Sequence, residues 1–329
     1  MNNGSNALEL VNLSKTFKNI TAVNELNLTV PHGSVYGFLG RNGAGKTTTL
    51  KMITGLSKPT SGEIFIHGEK VEFGTTHSFK NIGFLPDVPE YYPYMTATEY
   101  LYLCGRLHRM TDDMIKTRID EIFETIYLDK KRLRTKVSTF SRGMKQKLGI
   151  AASLLHSPSL ILLDEPTSAL DPIGRKETID IIQSLKGKYT VIFSTHILND
   201  IERVCDRIAL IDKGSLILDG NISELKANTV SDGVNITVTS NNNNNNEDSG
   251  NRFDGFLSKL GTLDFVKDLK HERTDNSLSV SFKTMGKDQA GAVLPKIISE
   301  YGLSLAKFNF DELQLEDIFI SATKENIKQ

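Results

Sequence analysis

The chain has 329 residues, 39% of them hydrophobic and 24% charged, which suffices for two domains with ordinary globular cores. A formal net charge of −1 excludes binding to nucleic acid through a global positive field, though not through a local basic site. No apolar run approaches the roughly 18 residues of a spanning helix, and Met1 to Asn6 is polar and uncharged, so neither a membrane span nor a secretory leader is expected.

In chain order, Leu8, Leu10, Leu26, Leu28 and Val30 alternate as strands, with a turn at Pro31-His32-Gly33. Val35–Leu39 is a short apolar strand feeding a glycine-rich loop. From Thr96 the pattern turns helical, with Thr96 and Glu99 spaced as a capping box. Cys104 matches no metal spacing with the distant Cys205, and both are expected as small buried apolar residues of a reducing compartment. Leu160–Leu163 and Val191–Phe193 are unbroken apolar runs, the mark of buried parallel strands. Ile208–Ile211 opens a hairpin that turns at Asp212-Lys213-Gly214.

Composition then shifts. Val234, Ile236 and Val238 alternate as a strand, followed by an asparagine-rich stretch over 240–251 that is expected as a surface loop. Beyond it the pattern predicts a helix near 252–260, a strand at 277–283, a helix at 288–301, a strand at 303–308 and a last helix from about 314. The expected division is a domain over 1–225, its helical part at about 88–157, and a small α+β domain over 226–329.

The chemistry begins after the strand Val35–Leu39. Gly40-Arg41-Asn42-Gly43-Ala44-Gly45-Lys46-Thr47 fits G-x-x-x-x-G-K-[ST], between a strand and a helix. Glycines let backbone N–H groups curl around phosphate oxygens, and a helix N-terminus adds partial positive charge. Lys46 would then reach the β- and γ-phosphates, and the Thr47 hydroxyl would ligate Mg²⁺. A structural glycine turn is the bland reading, and it is weak. Asp164-Glu165 ends a buried strand, which places Asp164 beside the Mg²⁺ and lets Glu165 polarise a water for in-line attack. Without the phosphate loop, capping or salt-bridging would be the better reading of that pair. His196 follows the strand Val191–Ser194. A lone histidine is usually structural, but this one falls on the same sheet edge as Lys46 and Asp164, so a γ-phosphate contact is expected.

These pieces, in this order, resemble the ATP-binding subunit of ABC transporters over roughly residues 7–220. The resemblance implies an α/β P-loop ATPase that uses ATP and Mg²⁺, dimerises around two ATP and drives a separate membrane-spanning permease. It implies that Phe17 stacks on adenine, that residues 40–48, through Thr48, form the Walker A loop, and that Asp164-Glu165 is the Walker B pair. Ser168–Asp171 would be the D-loop, with Asp171 at the nucleotide, and His196 the switch histidine. Phe140-Ser141-Arg142-Gly143-Met144 answers to the family's LSGGQ signature, in which Ser141 and Gly143 would contact the γ-phosphate held by the opposite subunit. Two departures stand out: Arg142 and Met144 replace Gly and Gln, and Asp87 replaces the Q-loop glutamine as a nucleotide and Mg²⁺ contact. Both resemble the export-type subfamily, as does the ending Leu313 to Thr323.

Tyr91, Tyr92, Tyr94, Tyr100 and Tyr102 lie where that family docks its permease, with core packing the rival reading for Tyr100 and Tyr102. Eight basic residues and no acid lie between Lys130 and Lys147, read as a solvated face, a nucleotide attractant or a lipid contact. The implied location is the inner face of the cell membrane, held through the permease. The rival function is a non-transport ATPase of the same group acting on ribosomes or nucleic acid. That class usually carries a second P-loop or a long heptad insert, and the sequence has neither.

Overall fold

A computed structural model describes residues 6–73, 80–228, 233–240, 246–274, 276–284, 286–310, 316 and 319. They fall into two compact units, one within Met1–Leu225 together with Phe319 and one within Lys226–Ile318.

In the first unit, β1 (Asn6–Phe17) and β2 (Ile20–Pro31) form an antiparallel pair whose alternating side chains bury Leu8, Leu10, Leu26, Leu28 and Val30. After them come β3 (Val35–Leu39), α1 (Lys46–Ile53), β4 (Ser61–Ile66), β5 (Glu69–Lys70) and β6 (Ile82–Leu85). Three helices follow: α2 (Ala97–Leu107), α3 (Asp112–Thr125) and α4 (Arg142–Leu154). The chain continues through β7 (Leu160–Asp164), α5 (Pro172–Leu185), β8 (Thr190–Thr195), α6 (Leu198–Val204), β9 (Arg207–Asp212) and β10 (Ser215–Asn221) to α7 (Ile222–Asn228), whose last three residues belong to the second unit.

Two sheets result. One is antiparallel in the order β2-β1-β4-β5. The other has the order β10-β9-β3-β8-β7-β6 and is parallel except for β10. Every residue of β3, β7 and β8 is buried, which explains their unbroken apolar runs. Because these strands run in one direction, the residues just beyond Leu39, Asp164 and Thr195 emerge at one edge of the sheet. The helices are set by their caps. Thr96 and Glu99 form the expected capping box, and Ser141 caps α4 by accepting the Met144 N–H at 3.2 Å.

The second unit contains β11 (Gly233–Thr239), α8 (Asn246–Gly261), β12 (Lys267–Arg273), β13 (Ser277–Lys283), α9 (Lys287–Glu300) and β14 (Ser304–Phe310). Its antiparallel sheet has the order β12-β13-β11-β14, the β-α-β-β-α-β arrangement of ferredoxin-like folds. Val234, Ile236 and Val238 on β11 and Val280 and Phe282 on β13 share one core with Phe253, Phe256 and Leu260 of α8 and Leu294 and Ile297 of α9.

Three expectations change. Residues 246–251, read as loop, are the first turns of α8. Phe253, Phe256 and Leu260 anchor that helix, and helix formation is cooperative, so it extends into the polar segment before them. Residues 241–245 lie outside the described residues, as does most of the segment after 310, including the expected last helix. Cys104 is half-buried rather than buried, whereas Cys205 keeps part of its residue surface exposed but has a thiol that burial pushes well above its usual pKa. Cys104 lies one residue off the buried stripe Ala97-Leu101-Gly105 of α2, and Cys205 ends α6 just past buried Val204. Finally, β12 carries no apolar alternation and escaped the pattern, because it is an exposed edge strand.

Candidate functional site

The loop between β3 and α1 is shaped by two glycines. Gly45 has φ +107°, and a Cβ there would lie 2.5 Å from the Ala22 carbonyl oxygen; Gly43 has φ +82° in open space. Only glycine adopts such angles without strain, so the loop's curl requires both. Gly40 N donates to Thr195 O at 3.3 Å, tying the loop to the end of β8. Lys46, 5% exposed, folds back under the loop. Its Nζ donates to Gly40 O at 2.7 Å and to Arg41 O at 3.3 Å, and lies 3.1 Å from Glu165 Oε1.

Asp164 is buried and accepts a 2.6 Å hydrogen bond from Ser194 Oγ, with the Thr47 hydroxyl nearby. Burial pushes its carboxyl above the usual range, and the two hydroxyls oppose that shift. Glu165 follows with φ +47°, a left-handed angle that bulky residues avoid. Its N–H bonds both Ser194 O, at 3.1 Å, and Ser194 Oγ, at 3.0 Å. Its Oε2 accepts from His196 Nδ1 at 2.9 Å, so that contact sets the imidazole's orientation. Its Oε1 is buried and accepts no hydrogen bond, facing only the Lys46 cation. Glu165 and His196 line a cavity of about 350 Å³ with Ala22, residues 42–48, Asp87 and Ser168, while Asp164, Ser194, Gly40 and Arg41 stand outside its lining.

The residues present fit a magnesium nucleotide. The loop offers backbone donors at a helix start, with one buried cation whose partners in the loop are carbonyls that a phosphate would outcompete. Thr47, Asp164 and Asp87 form an all-oxygen donor set, the kind Mg²⁺ takes. Glu165 Oε1 has the Lys46 ammonium, at 3.1 Å, as its one partner and keeps capacity to accept from a donor such as water.

Other expected site residues lie elsewhere. Phe17 ends β1, 49% exposed, with Lys15 Nζ 4.8 Å from its ring centroid. Ser141 and Gly143 sit at the exposed start of α4, where a Cβ on Gly143 would meet nothing within 4 Å. Asp171 caps α5. None of these four lines the cavity. Ser194 was missed, although its signal was legible: a hydroxyl ending an apolar strand just before Thr195-His196. Tyr92 and Tyr94 are exposed, whereas the Tyr91 hydroxyl donates to Lys145 O at 2.6 Å and Tyr100 packs edge-on against it. The basic run is not one open face. Lys147 is buried against Glu177 at 2.8 Å and donates to Tyr127 O, and Lys130 lies 3.6 Å from Glu124.

Residues 23–168 match the ABC transporter family. The bacitracin transport ATP-binding protein BcrA of Bacillus licheniformis is 42% identical over 224 residues, 68% of this chain and 72% of that protein. The chain belongs to the ABC transporter ATP-binding proteins. The linearmycin resistance ATP-binding protein LnrL of Bacillus subtilis is 30% identical over 325 residues, 98% of this chain and 99% of that protein, so the likeness continues through the second unit. A dimeric ATP-binding cassette solved in a post-hydrolysis state with ADP and Pi superposes with a TM-score of 0.60 at 28% identity, covering 65% of this chain and 98% of that one. As an ABC subunit the chain is a P-loop ATPase, and subunits of this family dimerise and work with membrane-spanning permeases. Among the described residues, no helix is long and apolar enough to cross a membrane.

Proposed function

We propose that this chain binds ATP with Mg²⁺ in the cavity above α1 and hydrolyses it to drive an export permease. One observation carries the reading: the Glu165 carboxylate stands between Lys46, at 3.1 Å, and His196, at 2.9 Å, at the mouth of a phosphate-binding loop. In this reading residues 40–48 cradle the phosphates, and Lys46 exchanges its carbonyl partners and Glu165 for phosphate oxygens. That exchange frees Glu165 to accept the proton of a water attacking the γ-phosphate. His196, held by Glu165, orients toward the same phosphate. Thr47, Asp164 and Asp87 would hold Mg²⁺, which when bound neutralises charge on the β- and γ-oxygens. Phe17 stacks on adenine, and Ser141, Gly143 and Asp171 of a second subunit complete each site. Their position outside the cavity agrees with a site shared between subunits.

Export is supported by relatives named for bacitracin transport and linearmycin resistance. Exposed Val88, Tyr92 and Tyr94 offer an apolar surface for the permease, which would hold the chain at the inner face of the cell membrane. Glu165→Gln keeps the shape of the side chain and removes the base. Turnover should fall by about 10²–10⁴-fold while ATP binding persists and an ATP-loaded dimer accumulates. Normal turnover in that variant would overturn the role of Glu165.

A further inference from the structure

Two buried side chains beside the site take no part in the chemistry above. Thr167 and Asp200 are each 2% exposed. Thr167 Oγ1 donates to Asp200 Oδ2 at 2.7 Å, and Arg175 donates to Asp200 Oδ1 through Nε at 2.9 Å, with Nη2 in an ion pair 2.8 Å from the same oxygen. Burying a carboxylate is unfavourable unless it is paired and hydrogen-bonded, and here both oxygens are.

The position of this pair matters more than its strength. Glu165 and Ala169 both adopt left-handed φ, +47° and +52°, an arrangement L-residues hold only when surrounding contacts impose it. Ser168 N closes the turn onto Glu165 O at 3.0 Å. On one side the turn is anchored where Glu165 N meets Ser194 on β8. On the other, its anchor is Thr167, two residues beyond Glu165, bound to Asp200 on α6. Asp200 in turn lies four residues after His196, whose Nδ1 meets Glu165 Oε2. The contacts therefore close a ring: Glu165, Thr167, Asp200, back along the chain to His196, and across to Glu165. Arg175 fixes Asp200 in this ring from α5.

We infer that Asp200 is a positioning residue for hydrolysis: through Thr167 it holds the turn that carries Glu165 against α6, so that Glu165 and His196 stay in contact. This rests on Glu165 being the base. If instead Asp200 only staples α5 to α6 through Arg175, the Thr167 bond is incidental to turnover.

Thr167→Val separates the two. It removes the hydroxyl at nearly constant volume and leaves the Asp200–Arg175 pair intact. Single-turnover hydrolysis of labelled ATP by the full chain should slow by about tenfold or more, since a small misplacement of a reacting group is enough for that. The ATP concentration for half-maximal rate should stay within about threefold, because the phosphate loop is untouched. Thr167→Ser should restore the rate. In a Glu165→Gln background, Thr167→Val should slow hydrolysis no further, because the group it positions is already gone.

Three results would overturn the inference. If Thr167→Val turns over normally while Glu165→Gln is slow, the ring does not position the base, and the reading of Glu165 stands. If the two losses multiply in the double variant, Thr167 acts through something other than Glu165. If Glu165→Gln itself turns over normally, the base assignment falls and this inference with it. Melting temperatures of all variants separate lost folding from lost positioning, and Thr167→Ala carries the same comparison should the valine variant not fold.

Discussion

The two units bury different kinds of residue. In the first, Lys46, Asp164, Thr167, Ser194 and Asp200 are all withdrawn from water; in the second, Thr284 is the one buried polar residue among those described. The sheets explain the contrast. Parallel strands bring the ends of β3, β7 and β8 to one edge, where loops with polar side chains converge over a cavity. The antiparallel sheet of the second unit packs an apolar face on α8 and α9. Buried polar groups stabilise poorly unless fully partnered, so their concentration in one unit marks where chemistry is done. Apolar burial in the other marks a body whose described core does structural work.

That contrast can be broken by substitution. The largest expected effect on stability is in the second unit. Phe256 is fully buried in its core, and Phe256→Ala should destabilise that unit by about 3–5 kcal/mol. ATP turnover, measured below the lowered transition seen by calorimetry, should be unchanged. A parallel fall in turnover would show that the units act as one. Ser194→Ala should cost the first unit less, about 1–3 kcal/mol for the groups left unsatisfied, but should also slow turnover. The Ser194 hydroxyl serves two partners at once, Asp164 Oδ1 and Glu165 N–H, so its loss loosens both carboxylates. Turnover kept at the parental rate alongside a lowered melting temperature would make Ser194 purely structural.

A third effect is pH-dependent and belongs to the first unit. His156 follows α4, stacks on His108 with ring centroids 3.7 Å apart, and bonds Ile82 O on β6 at 3.1 Å. Burial, with His108 and Arg118 nearby, lowers its pKa from the usual 6.5 to about 4, and the Ile82 carbonyl opposes the shift. The unfolded chain therefore binds this proton more readily. The contribution is complete above pH 6.5 and is lost as pH falls toward about 4. His156→Gln should flatten the stability of the first unit across that window, as read by chemical denaturation at a series of pH values. An unchanged slope would assign the acid sensitivity to other groups.

Much of this contrast is legible in the amino-acid sequence, and the rest is not, for physical reasons. Buried parallel strands announce themselves as apolar runs, and the spacing of Gly40, Gly45, Lys46 and Thr47 marks a phosphate loop without any coordinates. The capping box at Thr96 is equally local. By contrast β6 is four residues long and contains a glycine, and β12 is charged and exposed, so neither carries a period to detect. The left-handed angle of Glu165 and the hold of Ser194 on the Asp164 carboxylate and the Glu165 N–H arise only when β7 and β8 lie side by side. Long-range pairing is invisible to a pattern read along one strand.

The smallest expected energetic effect gives the most selective reading of the contrast. The chain contains no tryptophan, so Phe17→Trp would place one indole in the first unit and leave the second silent. Phe17 is half-exposed at the end of β1, and substitution there should change stability by no more than about 0.5 kcal/mol. Lys15 lies over one face of the ring at 4.8 Å, so a stacking base would displace it or take the other face. If adenine stacks there, saturating ATP should quench or shift the emission, and GTP should do the same because stacking tolerates either base. Adding Lys46→Ala should abolish the response by weakening phosphate binding, whereas adding Phe256→Ala should leave it intact below the transition of that variant. Emission that stays constant while calorimetry reports bound ATP would remove Phe17 from the nucleotide site. A response lost with Phe256→Ala at full folding of the first unit would instead show that the second unit reaches the nucleotide site, and the division of labour between the two would have to be redrawn.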